Sequence, residues 1–233
     1  ANTASKLRGE SGTKVLVEIS SESGEIREVD LERRSVDLRP VRTKRLRDDS
    51  HTIGYLRITQ FSESVPKKVE EALQELKEKE VEGLILDLRN NSGGLVSSGI
   101  AVADSLLSEK PVVETKDRNG IKDAIISQKE TSFDGPMVTL VNKGTASASE
   151  ILAGSLQDNE RSILMGEQTY GKGLIQSLKS LGEDSGIAIT VASYLTPKGN
   201  NIQGQGMTPD KLLDLPDESD YGSTDDKWVR NAE

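Results

Sequence analysis

The sequence predicts an α/β fold on three observations. Short apolar runs of strand length recur along the chain, helix-like patterns stand between several of them, and glycine-containing turns follow the most apolar runs. Strands that alternate with helices at this spacing are typical of a partly parallel sheet flanked by helices. With 233 residues, the chain is long enough for one substantial domain and a fragment of a second.

The first part of the chain is predicted to be mainly β. Residues 14–19 alternate apolar and polar side chains after a Gly-Thr turn, which predicts a strand. Residues 25–46 continue the alternation with many charges, as expected of exposed or edge strands. Residues 54–61 alternate again and predict a further strand.

A helix and a buried strand are predicted next. Residues 66–80 carry an apolar stripe at three- and four-residue spacing, which predicts an amphipathic helix packed on a core. The stripe consists of Val69, Ala72, Leu73 and Leu76. Residues 83–88 form a short apolar run that ends in a glycine turn, so we expect a buried strand there. Residues 95–107 are helix-like.

The second half of the chain repeats this alternation. Strands are predicted at 111–115, 120–128, 137–141, 163–165, 174–178 and 187–194. The strand at 137–141 leads into a motif of small residues, after which Ile151, Leu152, Ser155 and Leu156 continue a helical stripe. From residue 214 to residue 233 the composition is acidic and polar, which predicts a tail rather than core.

Composition excludes several classes of function. The formal net charge is −9 and aromatic residues make up 3%, which argues against a nucleic-acid-binding surface. The absence of cysteine and the single histidine leave no thiolate or histidine zinc site, and we expect neither a metal nor a cofactor. No apolar run is long enough for a transmembrane helix, and residues 1–5 do not resemble a signal peptide.

The strongest functional signal is a serine followed by a lysine. Ser147 lies in the motif Gly144-Thr145-Ala146-Ser147-Ala148-Ser149-Glu150, and Lys172 follows 25 residues later between two glycines. A serine attacks a carbonyl only when a base takes its proton. The chain has no cysteine, and its one histidine, His51, lies in a polar stretch that favours a loop role. A Ser-Lys pair is therefore the surviving option for a serine nucleophile.

Each of these residues also has an ordinary structural interpretation. Ser147-x-x-Glu150 matches a helix capping box, although a helix start also supplies amides that can hold an oxyanion. Lys172 could be a solvated charge; as a base it must lose its proton near neutral pH, which requires burial and no carboxylate partner. Gly93 and Gly94 could form an ordinary turn, or their N–H groups could reach the active centre.

Five segments in order resemble the carboxy-terminal processing peptidases, also called tail-specific proteases. They are Gly54-Tyr55-Leu56-Arg57-Ile58, the run from Leu86 to Gly94, the run from Ala146 to Ile151, the run from Gly166 to Gly173, and Gly204-Gln205-Gly206-Met207-Thr208-Pro209-Asp210. The resemblance covers about residues 6–213. Details around Lys172 and Thr190 resemble the branch of oxygenic phototrophs that trims a photosystem II reaction-centre precursor.

The resemblance implies a role for each matching residue. Ser147 matches the nucleophile, Lys172 the general base, and Gln176 the glutamine that holds the lysine. The amides of Gly93 and Ala148 match the oxyanion hole, with Gly94 as the alternative. Glu150 and Asp158 fall on recurring acidic positions, to which we assign structural support. The resemblance also implies a crotonase-like core of repeated ββα units with a small, mainly β subdomain.

The resemblance further predicts how the chain is organised. Residues 1–30 resemble the end of a PDZ domain with connecting strands, 31–213 the Ser-Lys catalytic region, and 214–233 an acidic tail. The expected activity is that of a serine endopeptidase acting on extended C-terminal tails of proteins, in the periplasm or thylakoid lumen. Two alternatives remain: a non-catalytic ligand-binding module on the same fold, and a truncated fragment that cannot capture substrate. The oligomeric state is left open.

Overall fold

The chain divides between Arg39 and Pro40 into two units. The computed structural model describes residues 6–21, 23–34, 39–47, 51–182, 185–214, 221–223 and 225–233. In the first unit, β1 (Lys14–Ser20) and β2 (Ile26–Glu32) form an antiparallel pair. The turn between them contains Gly24 at a φ of 82°, a conformation that glycine adopts without steric cost. The strand predicted at 14–19 is confirmed.

A six-stranded sheet forms the centre of the second unit. Its strands, in spatial order, are β12 (Lys211–Leu212), β9 (Ile163–Gly166), β8 (Met137–Val141), β5 (Gly83–Asp87), β4 (Thr52–Ile58) and β3 (Val41–Arg47). Only β3 and β4 pair antiparallel, and every other neighbouring pair is parallel. All five residues of β5 are buried, because a parallel sheet is covered on both faces. The predicted partly parallel sheet is confirmed.

Three helices connect the parallel strands. They are α1 (Val65–Glu78), between β4 and β5; α2 (Val96–Leu106), after β5; and α3 (Ala148–Asp158), between β8 and β9. The predicted stripe on α1 is buried, with Leu73 fully enclosed. Each such apolar side chain contributes about 1.5–3 kcal/mol when it leaves water, so one face of α1 holds the helix on the sheet.

A second, smaller sheet is antiparallel throughout. Its strands, in spatial order, are β10 (Leu174–Gly182), β11 (Ser185–Leu195), β6 (Pro111–Asp117) and β7 (Gly120–Ile126). Strand β11 pairs with β6 only through its last three residues, Ser193 to Leu195. The earlier part of β11 is exposed and pairs with β10 alone, so these strands form a two-stranded ribbon.

The C-terminal residues contribute to the core. The acidic, polar composition of residues 214–233 predicts a tail, but this segment contains α4 (Lys227–Ala232), whose Trp228 is fully buried. Trp228 and Val229 pack with Tyr55 and Leu140 in a second apolar cluster. Two apolar residues in a polar stretch produce no periodicity, so the pattern did not reveal this packing. Each helix in the described residues is too short or too polar to span a bilayer.

Shortening the buried face of α1 should destabilise the second unit. We expect Leu73→Ala to lower the free energy of unfolding by about 2–5 kcal/mol, because it leaves a cavity in the core. Lys77→Ala, on the exposed face of the same helix, should change it by less than about 0.5 kcal/mol. Urea denaturation of both variants measures the difference. Equal losses would contradict the packing described here.

Candidate active site

A tight turn between β8 and α3 carries Ser147. The side chain of Thr145 fixes this turn: its hydroxyl donates to the Leu88 carbonyl at 2.9 Å and accepts from the Asn142 N–H at 3.0 Å. The Thr145 carbonyl in turn accepts from the Tyr170 N–H at 3.0 Å. The turn is therefore bonded both to the end of β5 and to the segment that precedes Lys172.

Ser147 has a strained backbone. Its φ of 58° and ψ of −119° lie in a region that side-chain-bearing residues rarely occupy. Such a conformation costs of order 1–3 kcal/mol and persists only where its surroundings impose it. Only the Glu150 half of the capping box is formed: Glu150 Oε2 accepts from the Ser147 N–H at 2.8 Å, and the Glu150 N–H donates to the Ser147 carbonyl at 2.9 Å rather than to its hydroxyl. The half-buried Ser147 hydroxyl itself makes no side-chain capping hydrogen bond, which leaves it available for chemistry.

The carboxylate of Glu150 is the centre of the site's hydrogen bonding. Glu150 is fully buried, and each of its oxygens accepts two hydrogen bonds. Oε2 accepts from the N–H groups of Ser147 and Lys172, each at 2.8 Å. Oε1 accepts from the Gly171 N–H at 2.7 Å and from the Thr169 hydroxyl at 2.6 Å. All four partners donate, so the group serves as an acceptor only, as an ionised carboxylate does.

Glu150 therefore ties the serine turn to the lysine loop. It stands in the first turn of α3, where the helix dipole stabilises a negative charge. The Thr169 hydroxyl also accepts from the Met207 N–H at 2.6 Å, so its own proton is directed at Glu150. The sequence analysis assigned Glu150 structural support, and these contacts define that support: one side chain sets the distance between two backbone segments.

The glycines beside Lys172 are required by close packing. A Cβ on Gly171, whose φ is 90°, would stand 2.8 Å from the Gly206 nitrogen. A Cβ on Gly173 would stand 2.9 Å from the Gln203 nitrogen. The Gly171 carbonyl accepts from the Gly204 N–H at 2.9 Å, which fastens the lysine loop to residues 203–206. These glycines therefore position the loop.

Lys172 meets one of the two conditions expected of a neutral base. In the described part of the chain, no carboxylate forms an ion pair with its ammonium. Its side chain is exposed, however, so the expected burial is absent. Only the Lys172 backbone is held, through its N–H to Glu150.

Gln176 forms no hydrogen bond with Lys172 among the described residues. It is exposed on β10 and lies opposite Thr190 of β11, directly after a register shift at Ile175. The two residues are four positions apart, with Lys172 in the loop and Gln176 on β10.

Gly93 lies directly against the nucleophile turn. A Cβ at Gly93 would stand 2.8 Å from Ser147 Cβ and 3.1 Å from the Ala148 nitrogen. This proximity brings two of the predicted oxyanion residues together with Ser147. The Gly93 N–H, however, donates to Asn91 Oδ1 at 3.0 Å. The N–H groups of Ala148 and Gly94 donate to none of the described residues, so they are the available donors in this conformation.

Sequence analysis did not identify the role of Asn91. This residue is fully buried, and its carbonyl accepts from the Ala146 N–H at 3.0 Å and the Ser149 hydroxyl at 2.9 Å. Its amide group donates to the Ile58 carbonyl at 2.9 Å. Asn91 thus fixes the glycine loop to the serine turn. A polar residue between a buried strand and two glycines was the available signal.

Removing the charge of Glu150 should destabilise the site. In Glu150→Gln an NH₂ group would face two donors, so we expect a loss of about 2–4 kcal/mol in the free energy of unfolding. The control is Glu167→Gln, which removes a surface ion pair to Lys143 and should cost less than about 1 kcal/mol. Chemical denaturation compares the two. A Glu150→Gln variant as stable as the control would contradict the network.

Comparison with known proteins places this arrangement in a family. The sequence profile of Peptidase family S41 matches residues 52–213. A carboxyl-terminal-processing protease of Synechocystis sp. is 46% identical over 217 residues, which are 91% of this chain and 50% of that protein. A chloroplastic C-terminal processing peptidase of Tetradesmus obliquus is 46% identical over 164 residues, 70% of this chain and 35% of that protein.

A solved structure gives the same assignment. The photosystem II D1 C-terminal processing protease superposes with a TM-score of 0.74 at 37% identity, over 88% of this chain and 57% of that one. The chain spans about half the length of the curated relatives it matches. The mixed α/β fold, the serine turn and the profile match agree: the chain belongs to peptidase family S41.

Proposed function

We propose that this chain is the catalytic region of a serine endopeptidase that cleaves proteins near their C-terminus. The proposal rests on the strained Ser147 at the start of α3, whose hydroxyl makes no capping hydrogen bond. The Ala148 N–H, which donates to none of the described residues, follows it directly, and Gly93 packs against it. Glu150 binds the backbone of Lys172 to the same turn. The matching relatives are named carboxyl-terminal-processing proteases, which supports cleavage near the C-terminus of the substrate.

The proposed reaction is acyl transfer through Ser147. Neutral Lys172 takes the Ser147 proton, and Oγ attacks the substrate carbonyl carbon. The Ala148 N–H and a glycine N–H stabilise the oxyanion that forms. Lys172 then protonates the departing amine, and water releases the acyl group from Ser147. Gln176 is assigned to hold Lys172 during these steps.

This mechanism requires changes from the present conformation, among them the approach of Gln176 to Lys172, to which it is not hydrogen-bonded in the described residues. Lys172 is exposed, and its ammonium has to be desolvated before it can become a neutral base. An extended substrate lying over the side chain would supply that desolvation. The second oxyanion donor is either Gly93, after release from Asn91, or Gly94, whose N–H has no partner among the described residues. Substrate main-chain pairing suits unfolded tails of varied sequence.

The wider organisation is proposed on the same basis. We assign a crotonase-like arrangement to the core, a PDZ end to residues 1–30 and the catalytic region to 31–213. The substrate is a protein with an extended C-terminal tail, and the compartment is extracytoplasmic, as the cyanobacterial and chloroplastic relatives suggest. Because Lys172 is exposed and bound substrate would have to cover it, a second candidate is a catalytic region that needs another part of the protein to capture substrate.

Loss of either catalytic side chain should abolish cleavage. Incubation with an unfolded protein that ends in an apolar tail, followed by mass spectrometry, should detect cuts near the C-terminus. Ser147→Ala and Lys172→Ala should reduce the rate on the order of 10³-fold or more. Lys179→Ala, an exposed lysine on β10, should leave the rate unchanged. Full activity in either catalytic variant would refute the Ser-Lys mechanism.

A methyl group at Gly93 should disturb the oxyanion hole. Gly93→Ala would place Cβ 2.8 Å from Ser147 Cβ, at a φ of 97°, and we expect a roughly 10²-fold loss in kcat. Gly120→Ala imposes a similar backbone cost, at a φ of 126°, with nothing within 4 Å of the new methyl. This matched control should keep its activity. Equal kcat values for the two variants would show that Gly93 does not line the reacting centre.

A further inference from the structure

The guanidinium of Arg89 joins the loop after β5 to the C-terminal residues. Arg89 is fully buried, and its Nη2 donates to Asp87 Oδ2 at 2.7 Å and to Asp226 Oδ2 at 2.6 Å. Its Nη1 donates to Asp226 Oδ1 at 3.1 Å, so the contact with Asp226 is bidentate. Burial alone would raise the pKa of Asp226. Hydrogen bonds from Arg89 and from the Gly222 N–H nevertheless hold this pKa below its ordinary value.

Tyr221 makes a second connection to the same loop. Its ring centroid lies 3.9 Å from Arg57 Cζ and 4.2 Å from Arg89 Cζ, which is cation–π geometry. Its hydroxyl accepts from Asn90 Nδ2 at 2.7 Å. Two consecutive loop residues, Arg89 and Asn90, are therefore held by side chains that follow more than 130 positions later in the sequence. We call Tyr221 and Asp226 the C-terminal clamp.

The contacts continue from the clamped residues to Ser147. Asn90, held in a left-handed conformation at a φ of 56°, donates through its N–H to Asn142 Oδ1 at 2.8 Å. Asn142 begins the turn that carries the nucleophile. The next loop residue, Asn91, accepts from the Ala146 N–H, and Gly93 lies against Ser147. The residue that the clamp holds, Asn90, therefore directly precedes Asn91, which bonds to the serine turn and to the Gly93 N–H.

We propose that Asp226 and Tyr221 are positioning residues for the proposed peptidase reaction. They fix Arg89 and Asn90, and thereby set the position of residues 91–94 relative to Ser147. The inference rests on the proposed function and adds to it a requirement for the C-terminal residues. Neither residue touches the reacting atoms.

The chemistry of the clamp favours positioning over bulk stability. Trp228 and Val229 already anchor α4 through apolar burial. A buried ion pair adds little net stability compared with apolar groups of the same volume, because both charges lose their water. The bidentate pair and the Tyr221 ring instead fix the orientation of the Arg89 guanidinium, because this planar group binds its partners in only a few geometries.

Two conservative variants test the clamp. Asp226→Asn keeps the volume and can still cap α4, but its amide would face Arg89 Nη2 and the Gly222 N–H, which are both donors. Tyr221→Phe keeps the ring over both guanidinium groups and removes the hydroxyl that accepts from Asn90. Asp225→Asn is the matched control, because Asp225 is an exposed neighbour, and no hydrogen bond or ion pair joins its side chain to Arg89 in the described part of the chain.

The readouts separate positioning from folding. They are the rate at which a fluorophosphonate labels Ser147, kcat and KM for an unfolded tail substrate, and the emission of Trp228. Trp228 is the one tryptophan of the chain and is fully buried, so its emission reports whether α4 stays docked. The thermal midpoint of each variant completes the set.

We expect Asp226→Asn to lower the labelling rate and kcat roughly 10- to 100-fold, with KM within about twofold. Tyr221→Phe should show a smaller loss of the same kind, while Trp228 emission matches that of Asp225→Asn. Wild-type labelling and kcat in both variants would overturn the proposal, as would losses that only follow the folded fraction. A wild-type chain that is neither labelled nor active would refute the proposed function itself, and the clamp with it.

Discussion

The carboxylate of Glu150 is the interaction on which the site depends. It is fully buried, yet all its hydrogen bonds come from backbone N–H groups and one hydroxyl, and these belong to two segments distant in sequence. A buried charge that loses one such partner carries a large desolvation penalty, so each of the four contacts supports the others. The serine turn and the lysine loop are therefore joined through one side chain, although the Lys172 side chain itself is exposed.

The strain at Ser147 follows from that connection. A φ of 58° at a serine needs contacts that over-determine the backbone, and they come from three directions: Glu150 on the N–H, Thr145 on the preceding residues and Asn91 on Ala146. The result is a hydroxyl that makes no capping bond at the start of a helix. The C-terminal residues restrain this region further, because Asp226 and Tyr221 bind Arg89 and Asn90 in the loop that carries Asn91 and Gly93.

Local patterns predicted the elements well, because they depend on neighbouring residues. The stripe at Val69, Ala72, Leu73 and Leu76 placed α1, and the run at 137–141 placed β8 immediately before the serine turn. The pairing of Ser147 with Glu150 was also readable, as a capping box. The other three partners of Glu150 were not, because they arrive through tertiary packing against residues 203–207. The docking of Trp228 against Tyr55 and Leu140 depends on long-range contacts in the same way. The bond from the Gly93 N–H to Asn91 Oδ1 spans only two residues, but it depends on the orientation of the Asn91 side chain, which the sequence pattern does not give.

In the proposed reaction, Ser147 is a nucleophile that Lys172 activates. Intact-mass analysis after brief reaction with an activated ester, followed by peptide mapping, tests it most directly, because it needs neither tail capture nor a natural substrate. We expect one acyl adduct on the peptide that contains Ser147, absent in Ser147→Ala and formed far more slowly in Lys172→Ala. An adduct on another residue, or one that forms equally fast without Lys172, would contradict it.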